Sequence, residues 1–467
     1  MPPTITVVGL GPGDPGLRTL ATQRALDAAA RILLRTRVHP GLDDLVDDPR
    51  VSDCDDLYER SLSFDDLYSE IAGRVIQLAE QEPRRSLVFA VPGHPRFGER
   101  SVRLITESAA ERGIAVLVQA AVSTVDVVAS AIGLDPLTDE AQLVDAVHLS
   151  GILDQSPFAG GLISIDPTRP CLLAQVYATT IATGAKLALS RLYPDNHPIV
   201  IVHAAGIPNQ ERLVHCLLFE LDHQPLDHLT SVFIPPLPSL AAHRSPLMLQ
   251  RVVAHLRTPE GCPWDRQQSH ASLRDAVIEE AYETLDAIDA GDTGNLAEEL
   301  GDLLLQVALH SQIAEEAEEF LLEDVYEHVN RKLIRRHPHV FADAQAFTPA
   351  DVVTTWDSVK EAERSTSGKP PTDLPDHPLD RLPRSMPSLR RAATLLGPRK
   401  GSLPRPPERE QADAIGDALL ASVQRAILAG LDPETMLDDA LRRHIVAEDA
   451  GAAPAGTAVP LAGKVTA

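Results

Sequence analysis

The sequence predicts a multidomain protein in which an α/β part with two sub-domains precedes an all-helical part. Over residues 1–237, short apolar runs alternate with helix-like segments, which is the pattern of an α/β domain. The prolines of the segment PPLP at residues 235–238 end that pattern, and from Ser245 onwards only helical spacing remains. The length of 467 residues agrees with this division, because it exceeds what one hydrophobic core usually serves.

Composition and charge restrict the function classes. Hydrophobic residues make up 44% of the chain and charged residues 23%, as in soluble globular proteins. The net charge of −25 argues against binding to a nucleic acid polymer or to an anionic membrane. No run of about 18 apolar residues occurs, so no membrane span is expected. The four cysteines form no CxxC pair and the first residues lack a signal-peptide pattern, so a cytoplasmic location is expected.

The first part should contain buried strands joined by helices. Strands are predicted at residues 5–9, 85–91, 114–118, 198–204 and 229–234. Helical spacing predicts helices over residues 15–30 and 99–112.

A glycine-rich turn from Gly9 to Asp14 follows the first strand and precedes the first helix. Its sequence is GLGPGD, and this strand–turn–helix context is where a backbone approaches a ligand closely. An ordinary strand-to-helix turn is an equal alternative. The turn is not a dinucleotide fingerprint, since GxGxxG would need glycine at position 14, and no GK[ST] follows it as in a P-loop.

In the helical part, the segment from Ser272 to Asp275 resembles a capping box. It predicts a helix from there to about residue 290. An apolar stripe on this helix is expected to face a core, and its members are Val277, Ala281, Leu285 and Ile288.

Five carboxylates accompany that helix and the next one. Glu279, Glu280 and Glu283 fall within about 100° beside the stripe, and Glu299 and Asp302 lie one turn apart on the following helix. For EExxE alone, a solvated acidic face is the better interpretation. The ExxD pair within a leucine-rich helix favours a metal site instead, because acids among apolar residues are costly unless they bind a cation. Oxygen ligands suit Mg²⁺ or Mn²⁺, which would neutralise a triphosphate and activate water.

These segments resemble the MazG family. The similarity covers about residues 247–363 and rests on IEEAYETLDAI, LAEELGDLLLQVALHSQIA, the upstream GCPWD and the downstream KLIRRHPHVF. It implies an all-helical bundle that forms a homodimer and hydrolyses nucleoside triphosphates to monophosphate and pyrophosphate with Mg²⁺. By matching positions, it implies that Glu280, Glu283, Glu299 and Asp302 bind the metal. Glu279 would be a further ligand or a base that orients water.

Basic and aromatic residues follow the acids. Lys332, Arg335 and Arg336 are either cations at a helix C-terminus or clamps on the phosphates of the substrate, and the second interpretation explains better why three lie together. Trp356 and Lys360, one turn apart, resemble a family pair near the nucleotide. For Trp356, packing in a core and stacking on a base have equal weight.

The first part resembles the tetrapyrrole (corrin/porphyrin) methylases, and more narrowly the subset fused to a MazG domain (YabN-like proteins). The similarity spans about residues 4–237 and rests on VVGLGPGDPGLRTLATQRAL, VFAVPGHPRFGERSV and LFELDHQPLDHLTSVFIPPL. It implies a class III methyltransferase fold that binds S-adenosylmethionine between two α/β sub-domains, and a tetrapyrrole or another methyl acceptor.

The resemblance also implies the residues that bind the cofactor. The glycine turn contributes Gly9, Gly11, Pro12, Gly13 and Asp14. The segment of Gly93, His94 and Pro95 stands where the family usually has GDP, so it has lost an aspartate. The motif AVSTVDVVASAIGLDP, residues 121–136, occupies the place of the family's second cofactor loop. Methyl transfer therefore has less support than cofactor binding.

These observations divide the chain into six segments. A methylase-like domain at residues 1–237, a linker at 238–246 and a MazG domain at 247–364 are followed by a Pro-rich linker at 365–385, a degenerate repeat at 386–450 and a disordered tail at 451–467. The repeat is inferred because AIGDALL echoes ELGDLLL, with Ala414 in the place of Glu299.

The sequence thus favours an enzyme, a Mg²⁺-dependent nucleoside triphosphate pyrophosphohydrolase with a methylase-like domain. One alternative is an S-adenosylmethionine-dependent methyltransferase whose helical part is a dimerisation scaffold. The other is a non-catalytic sensor of nucleotide or S-adenosylmethionine. The carboxylates argue against the sensor, and His94 argues against the methyltransferase.

Overall fold

The structure is a computed structural model that describes most of the chain. The described residues are 4–61, 63–83, 85–155, 163–342, 348, 351–352, 355–356, 358–359, 379, 382–383, 385–396 and 409–449. The chain divides into two compact units, Met1–Leu322 and Glu323–Ala467.

The first sheet contains five parallel strands. They are β1 (Thr4–Gly9), β2 (Arg31–Leu34), β3 (Val51–Asp53), β4 (Leu87–Val91) and β5 (Ala115–Val118). Their order is β3-β2-β4-β1-β5, so β1 and β4 lie inside the sheet, with Gly9 opposite Val91 at their carboxyl ends. Ile5, Val7 and Phe89 are fully buried, which agrees with continuous apolar runs in a sheet covered on both faces. The strands predicted at β1, β4 and β5 are confirmed.

Four helices accompany this sheet, and they are α1 (Leu20–Ala28), α2 (Asp55–Arg60), α3 (Phe64–Gln81) and α4 (Arg100–Glu111). The next helix, α5 (Thr124–Ile132), packs through Val127 and Val128 on residues of the second sheet. The helix predicted over residues 15–30 is interrupted: a 3₁₀ turn, Pro15–Leu17, comes first, and α1 begins after Thr19. The cause is local, because Thr19 is extended and its hydroxyl accepts a hydrogen bond from Thr22 N at 3.1 Å as an N-cap.

The second sheet is mixed. It contains β6 (Gln142–Asp145), β7 (Cys171–Ala174), β8 (Pro198–His203), β9 (Arg212–Leu217) and β10 (Thr230–Ile234), in the order β6-β7-β10-β8-β9. Only the pair β6–β7 is parallel among its described pairings. The helices α6 (Ala146–Gln155) and α7 (Thr179–Leu189) pack beside it, over a core that includes the fully buried Tyr193. The α/β fold with two sub-domains is confirmed.

Helix α8 (Pro246–Leu256) connects the sheets to the helical bundle. At one end, Met248 lies in the core of the second sheet, as does the fully buried Ala242 that precedes the helix. At the other end, Val253 packs in a cluster with Leu309 of the bundle. Arg251, between them, donates to Asp166 Oδ2 at 3.1 Å.

The bundle in the first unit is built on a helical hairpin. Its helices are α9 (Pro263–Arg266), α10 (Arg274–Ala290) and α11 (Thr293–Glu316). Gly291, with φ of 67°, ends α10, and Asp292 caps α11 by accepting from Gly294 N and Asn295 N. The predicted capping box at Ser272 is wrong, because its hydroxyl bonds to Gln268 Oε1 and to the Ser269 carbonyl while α10 begins after Leu273.

The apolar stripe predicted to face a core is exposed. Val277, Leu285 and Ile288 are 36%, 52% and 53% exposed, whereas the buried residues of α10 are Thr284 and Ala287. The periodicity identified the helix correctly, but the face it marks has no covering partner among the described residues.

The second unit contains helices only, among its described residues. They are α12 (Leu322–Arg336, whose first residue closes the first unit), α13 (Pro338–Phe341), α14 (Ser388–Leu396), α15 (Arg409–Leu428) and α16 (Pro433–Asp449). Leu379, Leu441 and Ile445 form a buried cluster at α14 and α16. Most of the predicted linker at 365–385 and the whole tail at 451–467 lie outside the described residues.

Within the described residues, no single helix has the length and apolar composition needed to cross a membrane. Asp413–Leu428 and Pro433–Val446 meet these criteria only as a pair, across a bend of 112°.

Candidate functional site

Three carboxylates converge where α10 and α11 face each other. One carboxylate oxygen from each of Glu280, Glu283 and Glu299 lies within 4.8 Å of the other two. Glu280 and Glu283 are separated by less than one turn of α10, and the turn at Gly291 brings α11 back along them. Among the described residues, this is the one group of His, Cys, Asp or Glu side chains with such spacing.

The electrostatics of the group agree with its geometry. Burial first, and then the charges of Asp302, Glu283 and Glu299, raise the pKa of Glu280 above its usual value. Burial and the neighbouring carboxylates of Glu283 and Asp302 likewise raise the pKa of Glu299. Asp302 therefore acts on both glutamates, as its spacing predicted. The four acids repel one another, and a bound cation would relieve that repulsion.

Glu279 differs from its neighbours. Its side chain is exposed on α10 and it is not a member of the three-carboxylate group. The structure thus brings together Glu280, Glu283 and Glu299 with Asp302 beside them, and leaves Glu279 on the exposed surface.

The two glycine segments of the first sheet touch each other. Gly93 N donates to Gly11 O at 2.8 Å, and Gly11 N donates to Gly93 O at 3.2 Å. A Cβ on Gly9 would collide with the carbonyl oxygen of Gly93 and lie 2.7 Å from Pro95 Cδ. The close approach explains the glycine at position 9, and it places both segments at the carboxyl edge of the sheet, where such folds bind ligands.

The polar side chains of these segments stabilise turns. Asp14 Oδ1 accepts from Gly16 N at 2.7 Å, and His94 Nδ1 accepts from Arg96 N at 3.1 Å. Gly13, with φ of 143°, packs against Ile207. His94 therefore does locally what an aspartate at that position would do as a turn-capping acceptor.

A cleft opens beside them, between the two sheets. It encloses about 650 Å³, and Pro12 and Pro92 line it from the first sheet's side. Ala174, Ala204 and Ser231 line it from the second sheet's side.

Comparison with known proteins identifies a family for each of the two regions that contain these residues. The family model for the MazG nucleotide pyrophosphohydrolase domain matches residues 268–341, and the model for tetrapyrrole (corrin/porphyrin) methylases matches residues 4–222. YabN of Bacillus subtilis is 39% identical over 396 residues, which cover 84% of this chain and 76% of YabN. The chain belongs to the YabN family. In this family member the carboxylate group lies in the MazG domain and the glycine segments lie in the methylase domain.

Other relatives share only the helical part. The nucleoside triphosphate pyrophosphohydrolase/pyrophosphatase MazG of Thermotoga maritima is 47% identical over 116 residues, 25% of this chain and 44% of that protein. The nucleoside triphosphate pyrophosphohydrolase of Escherichia coli is 42% identical over 145 residues, 31% of this chain and 53% of that protein. The chain thus spans about half the length of these two relatives.

Among solved structures, a uroporphyrin-III-C-methyltransferase from Thermus thermophilus is similar to the methylase part. It is 21% identical with a TM-score of 0.37, over 50% of this chain and 93% of that one.

The predicted substrate-binding residues lie in the second unit. Lys332 and Arg335 are exposed on α12, and Arg336 is half-buried at its end. The ring of Trp356 packs edge-on against His337, with centroids 5.2 Å apart. Lys360 lies outside the described residues.

One polar feature of the methylase domain was missed from the sequence. Arg35 Nε lies 3.2 Å from Glu99 Oε2, and the two side chains are 18% and 4% exposed. The guanidinium lies over the rings of Tyr58 and Tyr68, 5.8 and 5.6 Å from their centroids. A signal was present, since Arg35 directly follows a buried strand, as the glycine turn does. Glu99 is distant in sequence, so the pair itself was not predictable.

Proposed function

We propose that the α10–α11 hairpin hydrolyses nucleoside triphosphates to nucleoside monophosphate and pyrophosphate with Mg²⁺ or Mn²⁺. The convergence of Glu280, Glu283 and Glu299, with oxygens within 4.8 Å of one another, carries the proposal. A donor set of oxygens alone fits a hard divalent cation. The names of the T. maritima and E. coli relatives support the reaction.

The acidic residues would have two roles, metal binding and orientation of the attacking water. Glu280, Glu283, Glu299 and Asp302 would hold the cation, which when bound would neutralise phosphate oxygens and acidify a water. Glu279, exposed beside them, is a further ligand or orients the attacking water.

Substrate binding is assigned by side-chain chemistry and by the resemblance to the MazG family. Lys332, Arg335, Arg336 and Lys360 would bind phosphate oxygens, because cations near developing negative charge stabilise the transition state. Trp356 would stack on the base.

The test is a pyrophosphate-release assay on the full chain over a panel of nucleoside triphosphates. Release with Mg²⁺ or Mn²⁺ and its loss in excess EDTA are expected. Release of orthophosphate in place of pyrophosphate, or no hydrolysis of any member, would refute the proposal. A scaffold or a sensor would give the second result.

We further propose that the methylase domain binds S-adenosylmethionine. The support is the hydrogen-bonded contact between Gly11 and Gly93 beside a cleft of about 650 Å³, at the carboxyl edge of the sheet. The two loops that would line the ligand are Gly9, Gly11, Pro12, Gly13 and Asp14, and Gly93, His94 and Pro95. Methylation of a tetrapyrrole or of another acceptor is the second candidate activity, favoured by the match to the methylase model.

Titration calorimetry on the full chain tests this binding. The full chain is needed because Ala242 and Met248 lie in the core of the second sheet. Gly93 is the position to change, since a Cβ there would meet only Thr124 Oγ1, at 3.9 Å, within 4 Å. Its φ of 64° makes Gly93→Val strained whatever the ligand, so Gly93→Asn is the better variant, because asparagine tolerates this conformation. Binding that survives Gly93→Asn unchanged would place the cofactor elsewhere.

The remaining assignments are proposals too. We propose domain limits at residues 237, 246, 364, 385 and 450. A homodimer through the helical bundle is supported by exposed apolar residues on α10 and α11, among them Ile288 and Leu304 at 53% and 58% exposure. All four cysteines are free thiols, which supports a reducing compartment such as the cytoplasm.

A further inference from the structure

An aromatic cluster forms the floor of the cleft in the methylase domain. Phe64, Tyr68 and Tyr177 line both the cavity of about 650 Å³ and a neighbouring cavity of about 600 Å³. Phe64 is stacked on Tyr68 and edge-on to Tyr177, with centroids 6.2 Å apart in both pairs. Phe64 is 52% exposed, so a large apolar ring faces open space at the junction of the two cavities. Rings in this arrangement offer flat surfaces for stacking.

Arg35, which lines the larger cavity beside these rings, is already neutralised. Arg35 is paired with Glu99 at 3.2 Å and covered by Tyr58 and Tyr68. Burial raises the pKa of Tyr58 to about 12, so this phenol stays uncharged at neutral pH. A carboxylate that entered here would have to compete with Glu99 for the guanidinium.

The other charges of the cleft do not favour anions either. Arg100 is paired with Asp65, and Arg103 lies 3.6 Å from Glu107. Asp55 and Glu59 line the larger cavity and Asp145 lines the smaller one. Of the arginines that line the two cavities, only Arg96 has no carboxylate partner among the described residues. A ligand with several carboxylates would find only Arg96 unpaired and would have to displace existing partners elsewhere, so most of its carboxylates would lose hydration at a cost in free energy.

We propose that the aromatic floor of Phe64, Tyr68 and Tyr177 binds a flat aromatic molecule that is uncharged or cationic, and not a tetrapyrrole with several carboxylates. Stacking on the rings supplies the attraction, and Asp55 and Glu59 favour a positive substituent. The proposal is for a ligand other than S-adenosylmethionine, which the glycine segments beside the same cleft would bind, and other than the nucleotide of the bundle, so it goes beyond the proposed function.

Two pyrene probes with the same ring and opposite charge test the proposal. The full chain is titrated with pyrenylmethylammonium and with pyrenecarboxylate at 0.15 M salt, and binding is followed by pyrene fluorescence anisotropy. The ammonium probe should bind at least about tenfold more tightly, because it adds attraction to the ring faces and acids to the stacking that both probes share. Uroporphyrin III at tenfold excess should not displace it.

Matched variants separate the floor from the general acidity of the chain. Tyr68→Ala and Tyr177→Ala should each weaken binding of the ammonium probe about tenfold, as loss of an aromatic contact does. Tyr68→Phe keeps the ring and should keep the affinity, so it separates the ring from the hydroxyl. Urea unfolding of Tyr68→Ala shows whether that variant is folded. Tyr326→Ala removes an exposed tyrosine of α12 and should change nothing. The double variant Asp55→Asn, Glu59→Gln should reduce the preference for the cation.

Several results would overturn the assignment. Equal affinities for the two probes, displacement by uroporphyrin III, or full affinity in Tyr68→Ala would each do so. Displacement of the probe by saturating S-adenosylmethionine would show that the floor belongs to the cofactor site. Pyrophosphate release is a separate measurement, so failure here leaves the hydrolase proposal standing.

Discussion

The sheets of the methylase domain and the α10–α11 hairpin expose different kinds of surface. In the first sheet, Val7 and Phe89 are fully buried, and the residues brought together at its edge are glycines whose backbones bond to each other. In the hairpin, Leu285 and Leu304 are 52% and 58% exposed, and the residues brought together are acidic side chains. Close contact between backbones thus shapes the site at the edge of the first sheet, and repulsion between carboxylates characterises the site in the hairpin.

The difference determines how each region should respond to substitution. Where backbones touch, an added methyl group disturbs packing and lowers the free energy of unfolding. Where carboxylates repel, removing a charge should leave the fold intact or stabilise it while activity falls. Substitution at the glycine contact should therefore lower the free energy of unfolding. Substitution in the carboxylate group should lower activity without lowering the free energy of unfolding.

The largest expected effect is on catalysis in the bundle. Glu280→Gln and Asp302→Asn should each lower pyrophosphate release at least about a hundredfold, because each removes a metal ligand or charge stabiliser. The midpoint of unfolding in urea without metal should stay equal or rise, because repulsion around Glu280 is reduced. Glu315→Gln, an exposed residue later on α11, is the control and should retain full activity. Full activity in both site variants would refute the catalytic assignment.

The second effect is on stability in the methylase domain. Gly9→Ala should lower the free energy of unfolding by about 1–3 kcal/mol, the usual range for overpacking, since its Cβ would collide with the Gly93 carbonyl. Gly73→Ala in α3 is the matched control. A Cβ there meets nothing within 4 Å, so it should be neutral or stabilising. Urea unfolding of both variants checks this, and equal behaviour would show that the contact at Gly9 does not matter.

A smaller effect is expected from pH. Burial, followed by the nearby His228 and Arg18, lowers the pKa of His39 from 6.5 to about 4. Between these values the unfolded chain binds more protons than the folded one, so the free energy of unfolding falls as the pH falls through this window. His39→Gln should flatten the dependence between pH 7 and 5, and His215→Gln, exposed on β9, should not. An unchanged slope in His39→Gln would contradict the burial of that ring.

The contrast between the buried sheets and the exposed hairpin also explains which features of each region were predictable from the sequence. The strands were predictable because their apolar runs are buried within the chain, and the glycine turn because Gly9 leaves no alternative residue for the close approach. The carboxylates were predictable because helical spacing alone places Glu280 and Glu283 on one side of α10. The buried face of α10 was mispredicted, since periodicity marks an apolar face and does not show whether the same chain covers it.

Contacts between residues far apart in sequence were beyond prediction. Arg35 directly follows β2 and Glu99 directly precedes α4, and no local sequence pattern connects these two positions although their side chains are paired. Similarly, nothing in the sequence shows that Met248, after the prolines that end the α/β pattern, lies in the core of the second sheet. Such contacts depend on topology, which spacing does not encode.

The smallest expected effect is at α15, whose sequence echoes that of α11. Asp417 corresponds there to Asp302, but Ala414 stands where Glu299 supplies an oxygen, and the described metal-type group involves α10 and α11 alone. A single exposed carboxylate is a weak ligand for a divalent cation, because Mg²⁺ sites in proteins normally combine carboxylates with further oxygen ligands. Asp417→Asn should therefore change pyrophosphate release by less than a few-fold, in contrast to Asp302→Asn measured beside it. Crystals soaked in Mn²⁺ provide the independent check: anomalous density is expected between Glu280 and Glu299. A peak at Asp417 would contradict this prediction, because it would show that α15 binds a metal through ligands other than those that correspond to the carboxylates of α11.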